Sequence, residues 1–144
     1  MADKTKYIQD FENIKKQHQQ QLLQIEFLLN NNRTKETIDK KDTFCSFNEW
    51  ALDPALEKLL GLQIYQKLLT AHSQWHTYYQ KILQILFEEN TGTFRKLFSS
   101  KPSAQAIDKA KAYFDDLQQA TNALEHAIVV CERRLNALSA SKFS

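Results

Sequence analysis

Glycine and proline are scarce in this chain of 144 residues, which contains two of each. Because both residues break helices and mark turns, their scarcity argues against a fold with many tight turns. The residues that abound instead, Leu, Gln, Lys, Ala and Glu, are among the better helix formers. The composition therefore predicts an all-α protein, and the length suits one domain with its own core.

Long apolar runs and a strong charge of one sign are also missing. No apolar run approaches the ~20 residues of a membrane-spanning helix, and the first residues, Met-Ala-Asp-Lys-Thr-Lys, lack the apolar centre of a signal peptide. The net charge of +2 comes from 19 basic and 17 acidic residues that do not cluster. We therefore expect a cytoplasmic protein that binds neither a membrane nor nucleic acid.

Cysteine is limited to Cys45 and Cys131. Two cysteines so far apart in the chain do not form a disulfide framework, and in a reducing compartment they are expected as thiols or metal ligands. Cys131 stands between the apolar residues Ile128 and Leu135 in a helical pattern, so we expect it to be a small buried hydrophobic residue.

The apolar spacing predicts two long helices before residue 90, with a short one between them. The first runs from about 6 to 30, and a polar connection follows it. Asp53 and Pro54 predict the N-cap and first residue of a short helix that ends at Leu60. The second long helix runs from about 62 to 89. Four further residues are expected to widen the apolar side of the first helix: Ile14, Leu23, Phe27 and Leu28.

The last helix has the most regular pattern, with apolar residues three and four apart from Ile107 to Leu138. Such a helix is roughly 50 Å long, which is more than a compact bundle of this size needs. We therefore expect part of its seam to dock on a second copy. The predicted fold is an all-α four-helix bundle with a short extra helix in the first long connection, forming a dimer. It is a single domain over 1–144, with its core at about 6–140.

Four side chains in this pattern are candidate metal ligands. His72 and His76 are one turn apart on the same face of the second long helix. His18 lies on the core stripe of the first helix, and Cys45 lies in an aromatic-rich turn between the two. Zinc prefers four nitrogen and sulfur ligands in a tetrahedron, so these residues form a candidate zinc site. The spacing alone leaves open that the histidines make only ordinary hydrogen bonds.

Motifs of metalloenzymes are incomplete in this sequence. A zinc protease motif His-Glu-x-x-His requires Glu where Ser73 stands, and the Glu-x-x-His motifs of di-iron bundles do not occur. A hemerythrin-like site needs more histidines, and only His126 remains, which we expect to face solvent. Gly61 and Gly92 stand alone, so there is no glycine-rich phosphate loop. We expect no enzymatic activity and no catalytic residues.

The order of the candidate ligands resembles that of a known family, the chemoreceptor zinc-binding (CZB) domain of bacteria. Its pattern is a His on the first helix, then Cys-x-Phe/Leu-Gly-x-Trp, then His-x-x-x-His. Here these are His18, the segment 45–50 (Cys-Ser-Phe-Asn-Glu-Trp), and the pair His72 and His76. The resemblance extends over roughly 7–140.

Two positions depart from the family pattern. Asn48 stands where the family usually has Gly, and Asn is the next best residue for a left-handed turn. Gln21 stands where the family usually has Trp, which removes an expected aromatic wall beside the site.

The resemblance implies a four-helix module in which three His and one Cys hold zinc, usually in a homodimer. It further implies a cytoplasmic sensor or regulatory module that responds to zinc level or to cysteine oxidation. Such a module signals through its dimer or through a partner of the chemoreceptor or cyclase type. The alternative is a structural protein–protein interaction module in which zinc only stabilises the bundle. A third possibility is a piece of a larger receptor or cyclase, since the family normally forms part of such proteins.

Overall fold

The computed structural model describes residues 4–31, 45, 47–51, 53–88 and 104–143. The α-helices in these residues are α1 (Lys4–Asn31), α2 (Phe47–Ala51), α3 (Pro54–Leu60), α4 (Leu62–Glu88) and α5 (Ala104–Ala137). A short 3-10 helix, Ala140–Phe143, follows α5. No strand is present in the described part of the chain.

The predicted all-α four-helix bundle is confirmed. Within the described ranges, four helices have seven residues or more, namely α1, α3, α4 and α5. Helix α5 packs along both α4 and α1, and α3 packs against α4 and α5. Helix α3 is the short helix predicted between the first two long helices, and α2 is a further short helix in the same connection. The homodimer stays a prediction.

The short helix α3 begins and ends as the sequence predicts. Asp53 is its N-cap, where the carboxylate accepts a hydrogen bond from the Ala55 N–H at 3.0 Å, and Pro54 follows as the first helical residue. Gly61 ends the helix with a positive φ of 83°, which a residue with a side chain rarely adopts. These local signals separate α3 from α4 without an intervening loop.

The core consists of heptad-like stripes on the three long helices. Residues three and four apart are buried on α1: Phe11, Ile14, His18, Gln21, Ile25 and Leu28. The same spacing holds on α4: Leu68, His72, Trp75, Tyr79, Ile82 and Leu86. Two histidines therefore occupy positions that would otherwise hold core hydrophobic residues.

Two predictions for α1 are wrong. Leu23 and Phe27 were expected on the apolar side, but they are 62% and 49% exposed. Each lies two residues from a buried position, Gln21 or Ile25, and a step of two residues turns a helix by about 200°. The buried stripe of α1 is therefore narrower than its composition indicates.

Residues 47–51 form a helix, whereas an irregular aromatic turn was expected. Phe47 and Ala51 lie four residues apart and are both buried, which places them on one face of α2. Asn48 belongs to this right-handed helix, so the left-handed turn expected there does not occur.

Helix α2 is tied to both long helices beside it. The Trp50 indole N–H donates to the Asp10 carboxylate of α1 at 2.9 Å. The Tyr65 hydroxyl of α4 donates to the Ala51 carbonyl at 2.6 Å. These two bonds hold α2, and Cys45 just before it, between α1 and α4.

The seam of α5 is covered by the chain itself. Its residues from Ile107 to Leu135 are largely buried, including Ile128 and Leu124 at the centre. Helices α1 and α4 occupy most of this seam, and the expectation that part of it docks on a second copy stays a prediction. The polar connection predicted after the first helix (33–42) lies outside the described residues, as does residue 89, the predicted end of the second long helix. Among those that are described, no helix is both long and apolar enough to cross a lipid bilayer.

Candidate metal centre

The four candidate ligands predicted from the sequence meet at one point in the bundle. His18 comes from α1, Cys45 stands two residues before α2, and His72 and His76 come from α4. Their donor atoms, three imidazole nitrogens and one sulfur, all lie within 4.8 Å of one another. The group could therefore hold one metal ion. The role of each residue as a ligand remains a prediction.

Three of the six distances between the donor atoms match a small tetrahedral site. His18 Nε2 lies 3.4 Å from His76 Nε2. Cys45 Sγ lies 3.4 Å from His72 Nε2 and 3.8 Å from His18 Nε2. In a tetrahedral zinc site, bonds of about 2.1 Å to nitrogen and about 2.3 Å to sulfur separate two nitrogens by about 3.4 Å and nitrogen from sulfur by about 3.6 Å. The residues thus fit a single tetrahedral ion.

His18 is oriented by its own helix. Its Nδ1 lies 2.7 Å from the carbonyl oxygen of Ile14, one turn earlier. Because a carbonyl can only accept, Nδ1 carries the proton, and Nε2 presents its lone pair to the other donors. A backbone carbonyl on the second ring nitrogen is a common way to fix the tautomer of a metal-binding histidine.

Two buried aromatic side chains wall the centre. The Trp75 ring meets His18 edge to face at a centroid distance of 4.5 Å. Phe47 lies over the His72 ring at 3.8 Å, with 30° between the planes. The aromatic wall expected to be lost with Gln21 is thus supplied by Trp75 from α4. Trp75 was not assigned to the site from the sequence, and its position one residue before His76 was the available signal.

Burial keeps the three imidazoles neutral at pH 7. Desolvation lowers the pKa of His18, in spite of its bond to Ile14. Desolvation, with the neighbouring histidines as a smaller cause, lowers the pKa of His72 to about 3 and that of His76 to about 4. Burial raises the pKa of the Cys45 thiol. The nitrogen lone pairs are therefore available to a metal, and only Cys45 must lose a proton on binding.

The centre is reached from one side of α4. His18 and His72 are 1% and 3% exposed, whereas His76 and Cys45 are half-buried. A groove of about 510 Å³ opens onto His72 and His76, with Tyr65 among its lining residues. Metal ions and small reagents can therefore approach the two α4 histidines from solvent.

The remaining histidine and cysteine lie outside the cluster. His126 is exposed on α5, which confirms its predicted solvent-facing position. Cys131 is fully buried, as predicted, and burial beside Glu132 raises its thiol pKa to about 12. A thiol of this kind is inert at neutral pH.

The two thiols should therefore differ in reactivity. With zinc bound, neither is expected to react quickly with a disulfide reagent such as dithionitrobenzoate. After chelation, Cys45 should react while Cys131 stays silent, and denaturation should expose both. Timed absorbance measurements on the wild type and on Cys45→Ala test this. If a fast-reacting thiol remains in Cys45→Ala, Cys131 is accessible to the reagent. The prediction that Cys45 is the reactive thiol and Cys131 the inert one would then be wrong.

Comparisons of the chain with protein-family models, with curated proteins and with solved structures found no significant match. The centre is accordingly characterised by its own donor set and geometry. These describe a helical bundle with a His/Cys cluster that could hold a metal ion.

Proposed function

We propose that this chain binds one zinc ion through His18, Cys45, His72 and His76 and acts as a cytoplasmic sensor or regulatory module. The main support is the set of three nitrogens and one sulfur at tetrahedral spacing inside a helical core. Magnesium and calcium prefer oxygen ligands, and copper(II) prefers a flatter arrangement, whereas zinc suits this donor set and shape.

The number of ligands favours a regulatory or structural role over catalysis. Four protein donors complete a tetrahedron, while catalytic zinc sites usually keep one position for water. No enzymatic activity is therefore part of the proposal.

The position of Cys45 supports a sensor. Its thiol is half-buried, and Cys45 stands two residues before the five-residue helix α2. Oxidation of a zinc-bound thiolate would remove one ligand, and loss of zinc would remove the link between Cys45 and the two long helices. Either event would free the start of α2 to move. The resemblance to CZB domains points to a homodimer or to a chemoreceptor or cyclase partner as the receiver of that change.

A purely structural role is the second candidate, because His18 and His72 are almost completely buried. In that case zinc would only join α1 to α4, and the protein would serve as an interaction module. Zinc exchange separates the two. A sensor should release zinc to a chelator much faster than the protein unfolds, whereas a structural zinc should leave only at the unfolding rate.

Metal content tests the proposed site directly. The wild type, purified without a histidine tag, should contain about one zinc per chain by elemental mass spectrometry, as expected for a complete four-ligand site. Cys45→Ala and His76→Ala should contain little or none. His126→Ala is the matched control, because it removes an exposed histidine outside the cluster, and it should keep its zinc. Wild-type protein that holds no metal even after incubation with zinc would refute the proposal.

A further inference from the structure

Helix α5 provides none of the four donor atoms of the metal centre. One of its side chains, Thr121, is nevertheless linked to the centre by a hydrogen bond with Trp75. The Thr121 hydroxyl is buried, at 4% exposure. It accepts a hydrogen bond from the Trp75 indole N–H at 2.8 Å and donates to the Leu117 carbonyl at 2.7 Å. A hydroxyl has one proton and two lone pairs, so it can make both bonds at once. The buried indole N–H is thereby fully satisfied.

Trp75 in turn is in contact with two of the candidate ligands. Its ring meets His18 at 4.5 Å with an interplanar angle of 83°, and His76 at 4.9 Å with an angle of 72°. On the other side it stacks on Tyr79 at 4.9 Å. Because the indole is completely buried and touches rings on several sides, it cannot rotate without displacing His18 or His76. The hydrogen bond to Thr121 fixes the direction of the indole N–H. It therefore determines where the edge of the indole ring contacts the His18 and His76 imidazoles.

We propose that Trp75 is a positioning residue for His18 and His76, and that Thr121 of α5 fixes it in that role. The proposal rests on the proposed function, in which the centre binds zinc. The hydrogen bond from Trp75 to Thr121 then raises metal affinity by holding two imidazoles at tetrahedral spacing. Such coupling is reciprocal. The factor by which the hydrogen bond raises zinc affinity is also the factor by which bound zinc favours the contact between α4 and α5.

Removal of the Thr121 hydroxyl tests this coupling. Thr121→Val keeps the shape of the side chain and should weaken zinc binding by about tenfold, the lower end of the effect of losing an outer partner of a metal ligand. Thr121→Ser keeps the hydroxyl and should restore the affinity. Competition with a coloured zinc chelator measures both.

Thr77→Val is the matched control. The Thr77 hydroxyl makes the same kind of bond to a carbonyl one turn earlier, that of Ser73, at 3.0 Å, but it is exposed. Loss of this bond should leave zinc affinity at the wild-type value.

Cobalt(II) provides a readout that fold stability alone would not change. Its visible absorption in a tetrahedral site depends on the orientation of the ligands, so Thr121→Val should change the band, while Thr121→Ser and Thr77→Val should not. Trp75→Phe removes the donor of the same hydrogen bond and should reproduce the effect of Thr121→Val. It also tests the inference if Thr121→Val folds poorly. The double variant should be no weaker than the single ones.

Wild-type affinity and an unchanged cobalt spectrum in both Thr121→Val and Trp75→Phe would overturn the inference while leaving the zinc site intact. A wild type that binds neither zinc nor cobalt would overturn the proposed function and this inference together.

Discussion

Chelation of zinc from the wild-type protein is expected to lower its melting temperature by about 10 °C or more. A ligand that binds only the native state stabilises it by about 4 kcal/mol at a free concentration a thousand times its Kd. In a chain of this size, 1 kcal/mol corresponds to about 2–4 °C in Tm. The effect should be large because the three imidazoles belong to α1 and α4 and the thiol stands before α2, and the unfolded chain does not bring them together.

Circular dichroism melts with excess zinc and with excess chelator measure this difference. Cys45→Ala should melt at the same temperature under both conditions, since it lacks one ligand. His126→Ala should show the full wild-type shift, because its histidine is exposed outside the cluster. A wild type whose melting temperature does not respond to zinc would mean that the four side chains do not act as a binding site.

Replacement of Phe47 by Ala should lower the free energy of unfolding by about 3–5 kcal/mol, the usual cost of removing a buried aromatic ring. This is a large share of the net stability of a domain, about 5–15 kcal/mol. Phe47 is 1% exposed, and its ring lies 3.8 Å from that of His72. Together with Ala51 it provides the buried face of α2, so its loss should also loosen Cys45 and weaken zinc binding. Urea denaturation and zinc competition measure the two effects.

Two variants serve as controls for Phe47→Ala. Phe47→Leu keeps much of the apolar volume and should recover most of the stability, although it loses the stacking on His72. Leu62→Ala removes an apolar side chain that is 58% exposed, and it should change stability by less than about 0.5 kcal/mol. Equal effects from Phe47→Ala and Leu62→Ala would show that α2 is not anchored in the core.

A sensor built on this centre would convert a local change at one thiol into a change in helix packing. Cys45 and α2 lie between α1 and α4, held by the bonds of Trp50 to Asp10 and of Tyr65 to Ala51. Neither bond involves a candidate ligand, so loss of a metal would directly break only the coordination bonds. The proposed response is therefore a shift of a short segment within a stable bundle.

The amino-acid sequence by itself determined the helical class, the main helix boundaries and the four candidate ligands. The cap at Asp53 and Pro54, the stop at Gly61 and the heptad spacing on α5 are local properties of the chain, and the described residues adopt them as predicted. His18 and His72 could be placed on core stripes because helix periodicity determines which residues share a face.

Only the tertiary structure decided which helix faces are buried and which aromatic side chains pack around the metal centre. Leu23 and Phe27 are as apolar as the buried Ile25 and Leu28, and only the packing of α1 on α5 leaves them exposed. In the same way, no local signal in the sequence pairs Trp75 with Thr121, 46 positions away, or lays Phe47 over His72. Periodicity determines the direction of a side chain about its own helix axis, but the neighbour that it meets depends on contacts distant in the chain.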